Sequence, residues 1–141
     1  MTVSLPLEDQ WGDIRDAVAK LCEPFDNAYW NDLDAKSEYP HAFVDALTEA
    51  GWLGALIPEE YGGAGLPIAA GGAILETIHA AGCNAAACHA QMYTMGTVLR
   101  HGSEEQKQKY NSQKYQPGMG GIKIKITPKA TPSNIMKISR L

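Results

Sequence analysis

The side chains that could carry chemistry are scattered along this sequence, and no two of them are spaced as a catalytic pair. His89 is the most suggestive, because histidine changes charge near neutral pH and can therefore carry a proton. No carboxylate or nucleophile is spaced to orient its ring, and a lone histidine on a helix is usually structural. We therefore predict that the chain contains no catalytic residue.

Three carboxylates and one glycine-rich stretch could also be read as functional. Glu59, Glu60 and Glu76 lack a partner in the sequence, so we interpret them as solvated or capping groups. The glycines at 62–65 resemble a phosphate-binding loop only superficially, because they lack the Lys-Ser/Thr of a P-loop and follow no strand of a βαβ unit. We interpret this stretch as a tight turn.

The cysteines do not predict a metal site. Cys22, Cys83 and Cys88 are odd in number, and no two of them have the CxxC spacing or a nearby histidine pair at metal-ligand spacing. Both a disulfide and a zinc site are therefore weak interpretations. We expect all three to be small buried hydrophobic residues.

Length and composition limit the organisation of the chain. Its 141 residues, 45% of them hydrophobic and 20% charged, are typical of one globular domain. The first residues lack the basic and apolar regions of a signal peptide, and no run of about 18 apolar residues occurs. We expect a cytoplasmic protein without a membrane span.

Charge divides the sequence into two unequal parts. All 16 acidic residues lie between Glu8 and Glu105, whereas half of the 12 lysines and arginines follow Tyr110. Such asymmetry indicates two segments of different origin or role.

Hydrophobic spacing predicts helices throughout the first part. Apolar residues recur three and four positions apart, which is the pattern of helices with one buried face. Pro24 is expected in the first turn of the second helix, Gly51 ends the third, Asn84 caps the fifth, and Ser103 with Gln106 forms a capping box. The predicted helices cover 6–22, a segment from Pro24, 41–50, 68–81, 85–101 and a stretch from Ser103 to Tyr110, and a shaped loop covers 52–67.

The remaining residues do not follow this pattern. They include three prolines and three glycines, and residues 121–127 alternate as a strand would, without a partner strand. We expect 111–141 to be an atypical basic tail, either disordered or out of frame.

Three pieces of the first part, taken together, resemble the N-terminal domain of acyl-CoA dehydrogenases. One is the third helix followed by Ile57-Pro58-Glu59-Glu60-Tyr61-Gly62-Gly63. The second is the helix at 68–81 with Glu76, and the third is the capped segment from Gly102 to Tyr110. The resemblance covers about residues 10–110, so we expect two parts: 1–110, the family's N-terminal helical domain, and 111–141, the tail.

The resemblance implies an all-α bundle of about six helices and an FAD-dependent reaction. In this family an enzyme carboxylate removes the α-proton of an acyl-CoA thioester while flavin accepts the β-hydride and later passes electrons to an acceptor. The catalytic glutamate and most flavin contacts belong to later domains, whose opening motifs are absent after Tyr110. We therefore expect the chain alone to be inactive and not to retain FAD.

The resemblance also suggests what this part of the protein contributes. In the family it forms one wall of the acyl-chain pocket, which maps to the middle of the fifth helix. The candidate pocket residues are Ala85, Ala86, His89, Ala90 and Tyr93. Alternatively, the small residues simply favour helix formation and packing.

A different class of function remains open. The chain could be a helical interaction module whose basic tail binds an acidic partner such as nucleic acid through phosphate contacts. Tyr115 is the tail's only aromatic residue, which leaves little for base stacking and argues against nucleic acid.

Overall fold

The computed structural model describes residues 10–111, and within this range every regular element is helical. The predicted all-α class is confirmed. The expected tail lies outside the described residues apart from Asn111, which ends the last helix. The helices are α1 (Gly12–Cys22), α2 (Asn27–Lys36), α3 (His41–Glu49), α4 (Ile68–Ala80), α5 (Ala86–His101) and α6 (Glu104–Asn111).

The start of α2 differs from the sequence prediction. Asp26 is its N-cap, and its side-chain Oδ1 accepts a hydrogen bond from the backbone N–H of Tyr29 at 3.0 Å. The prediction that Pro24 lies in the first turn was therefore wrong. An aspartate that satisfies a free N–H of the first turn fixes the start more strongly than a proline, which only tolerates that position.

The centre of the bundle is the contact between α1 and α4. Val18 of α1 and Ile74 and Ile78 of α4 are fully buried there. At the rim of this contact, Arg15 forms an ion pair with Glu76 at 2.7 Å. Glu76 is solvated as expected, with its side chain 68% exposed, but it also has a partner on another helix that the sequence did not indicate.

Four aromatic side chains pack together beside α3. Phe25, Tyr29, Trp30 and Phe43 meet edge to face, with ring centroids 5.0–5.2 Å apart. This geometry is favourable beyond simple area burial. Phe43 is completely buried, and the other three pack against the core.

Two short 3-10 turns, Trp52–Gly54 and Glu59–Tyr61, shape the segment between α3 and α4. Gly51 has φ 85° and ends α3 in the left-handed conformation, as predicted. Trp52 is buried in the core. The predicted shaped loop is therefore a folded part of the domain.

The ends of α5 and the start of α6 follow local signals. The N-cap of α5 is Ala85 and not the predicted Asn84, although the Asn84 side chain accepts a hydrogen bond from the N–H of Ala86, the first residue of the helix, at 2.8 Å. Ser103 and Gln106 exchange the two hydrogen bonds of a capping box, at 2.9 and 3.2 Å. A Cβ on Gly102 would lie 2.6 Å from the Val98 carbonyl oxygen, so this bend favours glycine.

All three cysteines are buried, which agrees with their interpretation as small core residues. Within residues 10–111, no three His, Cys, Asp or Glu side chains are grouped closely enough to hold a metal ion. None of the helices in this range combines the length and apolar character needed to cross a bilayer.

Candidate functional site

A groove of about 440 Å³ runs between α4 and α5. Small residues of both helices form part of its lining, because Gly71 and Gly72 of α4 and Gly96 of α5 add no side chain to it. Gly71 allows the Leu56 side chain to pack closely on α4, since a Cβ there would lie 3.0 Å from Leu56 Cδ1. A Cβ on Gly72 or Gly96 would meet nothing within 4 Å, so these glycines leave open space.

Two large hydrophobic side chains are exposed on this groove. Ile68 is 80% exposed and Tyr93 is 60% exposed, and both belong to its lining. Exposed apolar side chains grouped in one concave surface mark a binding or packing site. The arrangement therefore suits an apolar ligand or an apolar neighbouring surface.

A smaller apolar pocket of about 210 Å³ adjoins the groove. Ile68, Met92 and Gly96 line both spaces, so the two are contiguous. The other residues of the pocket are aliphatic or methionine side chains: Leu53, Leu56, Ile57, Leu66, Met95 and Leu99. A flexible hydrocarbon chain fits such a lining better than a polar ligand does.

Polar groups are concentrated at one side of the groove, on α5. His89, Thr97, Arg100 and His101 contribute to the lining. The His89 ring meets the Tyr93 ring edge to face, with centroids 5.4 Å apart. His89 is exposed and its ring contact is aromatic, so this geometry does not provide the oriented acid-base pair that catalysis would require.

The five residues predicted from the sequence do not share one environment. His89 and Tyr93 lie together in the groove. Ala85 is the N-cap residue of α5, is 1% exposed and belongs to the core cluster. Ala86 is exposed and Ala90 is half-buried, and neither lines the groove.

Several lining residues were not predicted, notably Ile68, Met92, Gly96 and Arg100. Part of the signal was present in α5, where residues 89, 93, 96 and 100 recur three or four positions apart and share one face. The residues that α4 contributes, Ile68, Gly71, Gly72 and Leu75, also share one face of their helix. This face gave only a weak hydrophobic signal, because two of its four members are glycines.

The glycine-rich turn uses its own backbone donors. The N–H groups of Gly62, Gly63 and Gly65 donate to the carbonyl oxygens of Glu59, Pro58 and Ile57, at 2.9, 3.1 and 2.8 Å. A phosphate-binding loop instead points such donors at its ligand. The turn therefore does not fit the phosphates of a nucleotide or of a flavin dinucleotide, in agreement with its interpretation as a tight turn.

Comparison of the sequence with known proteins identifies relatives of this chain. The protein-family model described as "Acyl-CoA dehydrogenase, N-terminal domain" matches residues 9–114. A probable acyl-CoA dehydrogenase FadE25 of Mycobacterium tuberculosis and one of Mycobacterium bovis are each 32% identical to this chain over 103 residues. The corresponding protein of Mycobacterium leprae is 30% identical over the same length.

These matches cover 72% of this chain and 26% of each relative. The chain thus spans about a quarter of the length of the curated relatives it matches. No solved structure gives a significant match.

Proposed function

The chain belongs to the acyl-CoA dehydrogenase family, and we propose that its groove between α4 and α5 forms one wall of the pocket that holds the acyl chain. The observation that carries this proposal is the apolar groove, which exposes Ile68 and Tyr93 and shares the lining residues Ile68, Met92 and Gly96 with the smaller apolar pocket. A hydrocarbon chain gains free energy when it leaves water for such a surface, at about 0.8 kcal/mol for each buried CH₂ group.

We infer that these residues contribute to the reaction by binding the acyl chain and by excluding water from it. The family removes the α- and β-hydrogens of an acyl-CoA thioester, and flavin supplies the redox chemistry when it is bound. Desolvating the acyl chain next to the reacting carbons strengthens the electrostatic interactions there. Tyr93 and His89 present side chains to that space from α5.

We further propose that the 141-residue chain, expressed as it stands, neither retains FAD nor oxidises acyl-CoA. The glycine-rich turn does not fit the flavin phosphates, and none of the described side chains is arranged as a catalytic base. The purified chain should be colourless and should not reduce an artificial electron acceptor when acyl-CoA is added. A stoichiometric yellow flavin after purification would contradict this part of the proposal.

The assignment of the groove as a pocket wall can be tested with one substitution that fills the groove. Gly96→Leu places a side chain in open space on the groove, and leucine also favours the helix. We expect octanoyl-CoA to shift the NMR amide signals of Gly71, Gly96 and Thr97 in the wild-type chain, and Gly96→Leu to weaken this binding at least about fivefold.

The matched control is Gly12→Leu, which also enters open space but lies at the start of α1, away from the groove. It should leave the titration unchanged, and CoA without an acyl chain should produce no shifts at the groove. Equal binding by wild type and Gly96→Leu would overturn the pocket assignment. Binding to duplex DNA that disappears when residues 111–141 are removed would instead support the interaction-module alternative.

A further inference from the structure

Two cysteines that are far apart in the sequence meet at one end of the bundle. Cys22 is the last residue of α1, and Cys83 follows the end of α4. Near the start of α1, Arg15 contacts Glu76 and Thr77 in the C-terminal half of α4. Contacts that recur at a separation of 61 or 62 residues show that α1 and α4 run in the same direction, so their C-terminal ends coincide.

The side chain of Cys83 points at the end of α1. Its Sγ donates a hydrogen bond to the Phe25 carbonyl oxygen at 3.5 Å and lies 4.0 Å from the carbonyl oxygen of Cys22 itself. Burial, followed by the charge and the hydrogen bonding of the Cys83 thiol, raises the pKa of the Cys22 thiol to about 12. The two thiols are therefore neighbours in a buried environment.

A second groove, open to solvent, reaches Cys83. It has a volume of about 540 Å³ and is lined by Trp30 and Asp34 of α2 and by His79, Cys83 and Asn84 at the end of α4. Cys22 does not line this groove. Cys83 is therefore the thiol that a small oxidant reaches first, and Cys22 lies behind it.

Cys88 provides an internal comparison. It is fully buried, and burial alone raises its pKa to about 12. Neither of the two grooves that flank α4 includes it in its lining. All three cysteines are thus buried, but only Cys22 and Cys83 lie next to each other.

We propose that Cys22 and Cys83 form a reversible disulfide when the protein meets a peroxide, and that this bond links α1 to the end of α4. Hydrogen peroxide first oxidises the Cys83 thiol to a sulfenic acid, releasing one water. The Cys22 sulfur then attacks the Cys83 sulfur, the S–S bond forms, and the sulfenic hydroxyl leaves as a second water with the Cys22 proton. A small dithiol restores both thiols by exchange.

The test is non-reducing peptide mapping of the full chain after treatment with hydrogen peroxide under native conditions. Trypsin releases Cys22 in residues 21–36 and releases Cys83 together with Cys88 in residues 37–100. A linked pair of these peptides is expected, lighter by two hydrogen atoms than their sum. Fragmentation of the linked pair assigns the bond to Cys83 or Cys88 in the wild-type chain, whether or not a variant folds.

The variants then serve as matched controls. Cys88→Ser should keep the linked peptides, Cys22→Ser and Cys83→Ser should lose them, and dithiothreitol should reverse them. The oxidised wild type should unfold at a Tm at least about 5 °C higher than the reduced protein, because the bond closes a long loop. A bond to Cys88, a bond between two chains, or oxidation of Cys83 to a sulfinic acid without any link would each overturn the proposal.

Discussion

Tyr61 connects the loop before α4 to the start of α6. Its hydroxyl donates a hydrogen bond to Glu104 Oε2 at 3.0 Å, and Glu104 also pairs with Lys107 at 2.8 Å. The hydrogen bond from Lys107 lowers the pKa of the Glu104 carboxyl, and the bond from Tyr61 and the charge of Lys107 lower it further, whereas desolvation opposes them. The aromatic side chain thereby connects two elements that are far apart in sequence.

This cluster predicts a pH-dependent effect of Tyr61→Phe. A carboxyl whose pKa is lower in the folded state stabilises the fold above its unfolded pKa, and this contribution is lost as pH falls through the folded pKa. Tyr61→Phe removes one cause of the lowering. We expect a lower midpoint of urea unfolding at pH 7 and a smaller difference from wild type near pH 3.

Tyr93→Phe is the control for that experiment, because it removes the hydroxyl of an exposed tyrosine outside the cluster. Its unfolding midpoint should match wild type at both pH values. A Tyr61→Phe deficit of the same size at pH 3 and pH 7 would show that the hydroxyl does not act through the Glu104 carboxylate.

Residue-scale features were the hardest to predict from the sequence. The sequence gave no indication that Cys22 and Cys83 are close, because their contact depends on how α1 and α4 align. Ala85 was expected in a pocket, but it lies at the N-cap of α5, where the chain turns into the core. Only His89 and Tyr93, one helical turn apart, were both predicted and found together in the groove.

The segment between α3 and α4 derives its shape from close backbone packing. A Cβ on Gly63 would lie 2.0 Å from the carbonyl oxygen of Ile57, closer than side-chain atoms can approach backbone. The Gly63 N–H also donates to the Pro58 carbonyl oxygen at 3.1 Å. This glycine is required for space, whereas Gly62, with φ 88°, is favoured by its backbone conformation.

Gly63→Ala and Gly72→Ala should have opposite effects on the free energy of unfolding. Gly63→Ala forces the turn apart and should reduce the free energy of unfolding by about 3 kcal/mol. Gly72→Ala adds a methyl group in open space on an exposed helical position and should increase it by about 0.5–1 kcal/mol. Urea unfolding of both variants measures these changes, and equal stabilities would contradict the packing argument.

Element boundaries were predictable where one residue carries a local signal. Gly51 after α3 and the capping box at Ser103 were both recognised because capping depends on residues within one turn. The N-cap of α5 is Ala85, one residue after the predicted Asn84. Pro24 misled the prediction because proline is compatible with several positions near a helix start, and the deciding hydrogen bond belongs to Asp26. Periodicity predicted the extents of α3, α4 and α5 to within one residue, but it was wrong for the start of α1, which begins at Gly12 and not at Pro6 because residues 10 and 11 form a turn. The mutual packing of the helices did not follow from periodicity.

For the whole molecule, the main question is how far the folded unit extends. The described core is formed by residues between Ala17 and Met95, and the Tyr61–Glu104 contact secures α6 to it. The sequence predicted a change in character after Tyr110, and the family match ends nearby, at residue 114. We propose that residues 1–111 contain every contact on which the stability of this domain depends.

A chain ending at residue 111 should therefore unfold at the same thermal midpoint as the 141-residue chain. The reason is that stability depends on the buried apolar core and on the helix caps. In the described residues the core lies between Ala17 and Met95, and the last cap is the capping box at Ser103. Differential scanning calorimetry of the two proteins measures the midpoint and the enthalpy of unfolding. As a control, a chain ending at Gly102 loses α6 with its capping box and the Glu104 partner of Tyr61, so its midpoint should fall. A lower midpoint for the 111-residue chain would mean that the basic segment packs on the helical domain, and the proposed boundary would have to move toward the C-terminus.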